Sequence, residues 1–97
     1  MRHEIILAPD ASEQFQRLRA HIRAAVRDAL ETHLRFEPRR GSKSRIKRLR
    51  AMRRPQYRLR VDDVRVYYDV TGQTVEVLAI VPKSEARAWL EDKGEPT

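Results

Sequence analysis

The sequence contains no cysteine. That excludes a disulfide framework and a thiolate metal site, and it fits a reducing compartment. Glycine is scarce, with three residues at 41, 72 and 94, so no glycine-rich loop is present to cradle nucleotide phosphates. Only six aromatic residues occur, too few for a series of base-stacking platforms. No apolar run approaches the roughly 18 residues of a membrane span. The opening MRHEIILAPD has too short an apolar part for a secretory signal, and a cytoplasmic location without membrane contact is expected. His3, His21 and His33 lie far apart, with no HExxH or Cys/His spacing, so neither a metal nor a cofactor is expected. Ser12, Ser42, Ser44 and Ser84 stand outside any GxSxG context, which leaves serine hydrolase chemistry without support.

What is abundant is positive charge, and it is concentrated. The 97 residues carry a net +7 and suffice for one domain, residues 1–97, with one modest core. The segment 35–60 holds twelve of the 21 Lys and Arg and a single acid, Glu37. A local basic block is the electrostatic footprint of a polyanion partner. A solvated loop, or a docking surface for an acidic protein, would produce the same composition.

The hydrophobic pattern predicts an α+β domain. HEIILA (3–8) reads as a short strand ended by Pro9, with Asp10 and Glu13 spaced as a capping box. Phe15, Leu18, Ile22, Val26, Ala29, Leu30 and Leu34 then recur at helical spacing. The stretch is long for so small a domain, which suggests a helical hairpin broken near Ala20 and His21 and closed by Pro38. EPRRGSKS (37–44) is loop by composition. RIKRLRAMRR (45–54) is a basic arm, irregular or with a short helical turn. The clearest signal follows. YRLRV (57–61) and VRVYYDV (64–70) alternate with period two around Asp62-Asp63, Thr71-Gly72-Gln73 makes a turn, and 74–81 is apolar on both faces except at Glu76, as in a central strand. Ser84 is placed to cap a last helix with Ala86, Trp89 and Leu90 inward. The expected architecture is a small antiparallel sheet, an N-terminal strand plus a three-strand meander. The helices pack on one face, and the arginines lie on the other.

On that other face the alternation collects Arg58, Arg60, Arg65 and Tyr67. RNA cleavage needs no metal if the 2′-OH attacks the adjacent phosphate while a base takes its proton and cations hold the developing charge. Arginine suits the second task, because its planar fork matches phosphate oxygens; a tyrosine or lysine can handle a proton. Arg58, Arg60, Arg65, Tyr67 and Lys83 could supply these parts, with Arg45, Lys47, Arg48, Arg50, Arg53 and Arg54 binding RNA. The same arginines would equally serve as ordinary polar-face residues balanced by Asp62, Asp63, Asp69 and Glu76. Spacing leaves both readings open.

RIKRLRAMRRPQYRLRVDDVRVYYDV followed by TVEVLAIVPKSEARAWL resembles the RelE/ParE superfamily of type II toxin–antitoxin toxins, most closely its RelE side. The resemblance implies a ribosome-dependent endoribonuclease that cuts mRNA, and a cognate antitoxin as partner. It places the family's two strand lysines on Arg58 and Arg60 and its strand arginine on Arg65. The later basic pair falls on Lys83 and Ser84, so one arginine is missing. The C-terminal tyrosine falls near Trp89 or Leu90, neither of which transfers a proton in its place. ParE-type toxins, which poison DNA gyrase by binding and need no catalytic residues, are the implied alternative. On this reading Arg65→Ala is expected to abolish growth inhibition and leave the fold intact.

Overall fold

The structure, a computed structural model, describes residues 2–41 and 45–97. In chain order it comprises β1 (Glu4–Leu7), α1 (Pro9–Arg17), α2 (Ala20–Ala29), a π turn (Leu30–Leu34), β2 (Ile46–Arg48), β3 (Met52–Arg54), β4 (Tyr57–Val61), β5 (Val64–Thr71), β6 (Thr74–Pro82), α3 (Lys83–Lys93) and β7 (Glu95–Pro96). The expected α+β class is found. Five strands form one sheet in the order β1-β6-β5-β4-β2, and β3 pairs with β7 in a separate two-stranded ribbon. The sheet is mixed rather than wholly antiparallel, because β1 runs parallel to β6. The hairpin of α1 and α2 carries the chain back across the sheet, so the first strand enters in the same direction as the sixth.

The meander β4-β5-β6 follows the sequence pattern, with one register shift between β5 and β6 at Tyr67 and Tyr68. Tyr57 pairs with Tyr68, Leu59 with Val66 and Val61 with Val64, and these side chains face α1 and α2. There they meet Phe15, Leu18, Ile22, Val26, Leu30 and Leu34 in the main core. Gly72 takes φ 58° in the β5–β6 turn, a left-handed conformation natural to glycine. Tyr68 is fully buried and donates its hydroxyl to the Pro38 carbonyl at 2.7 Å. Burial also raises its pKa above the ordinary tyrosine value.

Several local expectations are corrected. Neither Asp10 nor Ser84 caps a helix. The N-cap of α1 is Ala8, with Pro9 at the first turn, and the N-cap of α3 is Pro82; neither cap has a side-chain hydrogen bond. Proline here starts helices as well as ending strands, since its fixed φ suits the first helical turn. The hairpin breaks at Leu18 and Arg19, immediately before the expected Ala20 and His21. Arg23 reaches back to donate to the carbonyls of Leu18 at 2.8 Å and Gln16 at 3.3 Å, satisfying α1's terminal acceptors without Gly or Pro. The arm 45–54 is neither irregular nor helical. It folds as two three-residue strands, β2 on the sheet edge and β3 against the tail. The part of the 37–44 loop that covers residues 42–44 lies outside the described residues.

The largest departure concerns α3. It packs on the face opposite to α1 and α2, the arginine face. A second small cluster forms there from Tyr67, Ala79, Val81 and Ala86, joined by Leu49, Trp89 and Leu90.

Candidate functional site

Residues paired directly across strands share a face of the sheet. Lys47 of β2 pairs with Arg58 of β4, and Arg58 pairs with Tyr67 of β5. One row therefore reads Lys47, Arg58, Tyr67. The next row, nearer the Asp62-Asp63 turn, sets Arg60 opposite Arg65. The structure thus brings together four of the five sequence-predicted catalytic residues. The fifth, Lys83, is exposed at the start of α3, and its main-chain N–H donates to the Asp63 carbonyl at 2.7 Å. That bond ties it to the turn end of the Arg60–Arg65 row.

Like charges opposed across strands are destabilising, and each arginine meets the cost differently. Arg60 is exposed to water. Arg65 is 7% exposed and turns one guanidinium nitrogen to the carbonyls of Asp62 at 2.8 Å and Val64 at 3.1 Å. Burial, followed by the charges of Arg58 and Arg60, lowers its pKa, though an arginine remains a cation at any physiological pH. It is a fixed positive charge under the surface more than a free fork. Arg58 is half-buried, and its Nε is sealed from water with no hydrogen-bond partner. A buried donor left unpaired is costly.

Tyr67 is 2% exposed. Its ring stacks on Trp89 at 5.0 Å between centroids and 9° between planes. Burial raises its pKa, against the opposing pull of the Arg58 and Arg65 charges, so at neutral pH it is a phenol that can donate a proton and not a base that can take one. Tyr57 and Tyr68 stack on each other at 5.3 Å on the other face, which leaves Tyr67 as the tyrosine among the arginines. Trp89 stands near the position where the resemblance placed a tyrosine, and it acts as the cover of this one.

The six arm cations do not form one open surface. Arg54 pairs with Asp69 at 3.2 Å and Glu76 at 3.4 Å. Asp69, itself 7% exposed, also accepts the Gln56 N–H at 2.7 Å; burial raises its pKa against these two bonds. Arg53 pairs with Glu95. Arg48 donates to the carbonyls of Gln56 at 2.8 Å and Leu49 at 3.1 Å and lies over the Tyr57 ring. Arg45 acts electrostatically on His33, beside the helical layer. Lys47 and Arg50 are exposed. The Arg54–Asp69–Glu76 array and the Trp89 cover were missed in the sequence. Period-two alternation had placed Asp69 with the arginines, but nothing local showed that α3 would lie over them. Among the described residues no group of three or more His, Cys, Asp or Glu is placed to hold a metal ion, and no helix is long and apolar enough to cross a membrane.

The chain matches, over residues 5–87, the family described as the ParE toxin of type II toxin–antitoxin systems, parDE. It belongs to that family, within the RelE/ParE superfamily of toxins. Among solved structures it is similar to the archaeal RelE–RelB complex from Pyrococcus horikoshii OT3, with 24% identity and a TM-score of 0.64 over 86% of this chain and 97% of that chain. It is also similar to the RelB–RelE antitoxin–toxin complex from Methanococcus jannaschii, with 16% identity and a TM-score of 0.60 over 87% and 96%. At these identities the likeness is one of fold. No curated protein sequence matches the chain.

Proposed function

We propose that this toxin is an endoribonuclease that cleaves mRNA on the ribosome. The observation that carries the reading is the register of β2, β4 and β5, which aligns Lys47, Arg58 and Tyr67 in one row and Arg60 and Arg65 in the next. The phosphate to be cleaved is held by the half-buried Arg58 guanidinium, whose Nε is free to donate once its cover moves, and by the exposed Arg60, with Arg65 as fixed charge beneath. The substrate's 2′-oxygen forms a bond to phosphorus as the bond to the 5′-oxygen breaks. One extra negative charge builds on the phosphoryl oxygens, and the three guanidinium groups stabilise it more than they stabilise the ground state. Tyr67, held neutral, donates its proton to the departing 5′-oxygen. No arginine can act as the base. The proton of the 2′-OH therefore leaves to water or to a group of the ribosome, which fits a site that relies on its target for alignment. In the resting toxin a cognate antitoxin bearing acidic groups would cover Arg58 and Arg60.

The ParE-type alternative, binding and poisoning DNA gyrase without catalysis, is favoured by the family match over residues 5–87 and by one feature of the site: Tyr67 lies sealed beneath Trp89. Inducing the toxin without its antitoxin and mapping mRNA 5′ ends separates the two. Cuts within translated codons, lost when translation is blocked, are the expected result. Growth arrest with intact mRNA and a DNA-damage response would overturn the ribonuclease reading in favour of gyrase.

A further inference from the structure

The cover over Tyr67 is held from two ends. At its start, α3 is tied to the β4–β5 turn through the Lys83 N–H and the Asp63 carbonyl at 2.7 Å. At its end the chain continues into β7, which pairs with β3 of the basic arm. Glu95 forms an ion pair with Arg53, and Thr97 donates to the Ala51 carbonyl through both its N–H, at 3.1 Å, and its hydroxyl, at 3.3 Å. Gly94 lets the two segments touch. A Cβ there would stand 2.3 Å from the Met52 methyl and 2.5 Å from the Leu90 carbonyl oxygen.

The charges on the two segments are complementary. The arm 45–54 holds six cations and no acid; residues 91–95 hold Glu91, Asp92 and Glu95 against Lys93. Acids at a helix C-terminus oppose the helix dipole; Asp92 is offset by Lys93 of the same helix at 3.8 Å, and Glu95 by Arg53 of the arm. The Arg53 and Glu95 side chains are 70% and 44% exposed. An exposed ion pair is weak and readily screened, and its partners are open to competition.

We infer that β7 is a clasp that a polyanion undoes. The Glu95 carboxylate occupies on Arg53 the place that a nucleic-acid phosphate would take. Phosphates arriving along Lys47, Arg50 and Arg53 displace the tail from the arm and release the C-terminal end of α3. Trp89 then lifts from Tyr67, and the arginine face opens where the chain of phosphates already lies. The apparent conflict between a buried Tyr67 and a proton-donating role disappears, because the closed form is the form without a polyanion. The inference rests on the ribonuclease reading only in that the arm meets phosphate.

Trp89 is the sole tryptophan and reports the state of the clasp directly. The probe is inorganic polyphosphate, which has no bases to quench fluorescence and no 2′-OH to cleave. Its binding is followed by calorimetry and Trp89 exposure by acrylamide quenching. We expect polyphosphate to shift Trp89 emission to the red and raise its quenching constant. Glu95→Gln should show part of that change before any polyphosphate is added and bind polyphosphate up to about fivefold more tightly, the upper range of an exposed ion pair. Gly94→Ala, whose Cβ would crowd the Leu90 backbone carbonyl where the tail leaves α3 as well as the movable Met52 methyl, disturbs the junction by bulk instead of charge and should give the same open signature. Thermal unfolding of each variant confirms that the domain remains folded. Binding without any change at Trp89, no binding at all, or variants indistinguishable from the parent would each overturn the clasp. None of these outcomes bears on whether RNA is cut, which the 5′-end map decides separately.

Discussion

Arg58 and Arg65 looked equivalent in the sequence, two guanidinium groups on the same face of adjacent strands. Their surroundings separate them. Arg65 is buried against the carbonyls of its own turn, while Arg58 keeps a sealed, unpartnered Nε. The expectation that Arg65→Ala would leave the fold intact therefore needs revision. Removing the donor from these carbonyls should cost about 1–2 kcal/mol of stability, less whatever repulsion from Arg58 and Arg60 is relieved. Arg58→Ala removes a group that the fold does not use and should leave the melting temperature unchanged or raise it. Both variants should lose growth inhibition, but only Arg65→Ala should also lose stability in a denaturant titration. If Arg58→Ala stays fully toxic, the phosphate is not held on this row. Which residues share the face was readable from alternation alone. Which arginine is spent on the fold was not, because that depends on the depth of the turn beneath α3.

At the scale of elements, legibility followed the length of the repeating pattern. β4, β5 and β6 were plain because five to nine residues alternate or stay apolar. β2 and β3 have three residues each, too few to show a period, and their conformation is set by pairing with β4 and β7. The π turn at Leu30–Leu34 ends α2 with Leu30 and Leu34 both buried. That turn carries His33, which burial and the nearby charge of Arg45 hold below the ordinary histidine pKa of 6.5. A histidine whose folded pKa is depressed contributes stability above its unfolded pKa, and that contribution is lost as pH falls through and below it. Unfolding free energy should thus decline as pH drops from about 7 to 5. His33→Gln, which cannot titrate, should remove this part of the slope. An unchanged slope in denaturant titrations across that range would mean that the turn does not bury the imidazole.

For the molecule as a whole, the basic block was the first feature visible and the one most altered by the fold. Ten cations were candidates for RNA or its phosphates. The structure gives Arg48, Arg53 and Arg54 internal partners, sets Arg65 beneath the surface and turns Arg45 toward His33. Lys83 lies on α3 rather than on the arm or its strands, which leaves Lys47, Arg50, Arg58 and Arg60, exposed or half-buried. Counterion release makes this countable, since each phosphate neutralised on a single strand contributes about −0.7 to the slope of log K against log salt. Four contacts give a slope near −3, and a fifth, made when Glu95 yields Arg53, gives about −3.5. Engagement of all ten would give about −7. Binding of a non-cleavable single-stranded oligonucleotide, measured by anisotropy over a range of potassium chloride, should fall at the shallow end. Lys47→Ala and Arg50→Ala should each flatten the slope by about 0.7. Arg54→Ala should not flatten it, because Arg54 already has two carboxylates to hold.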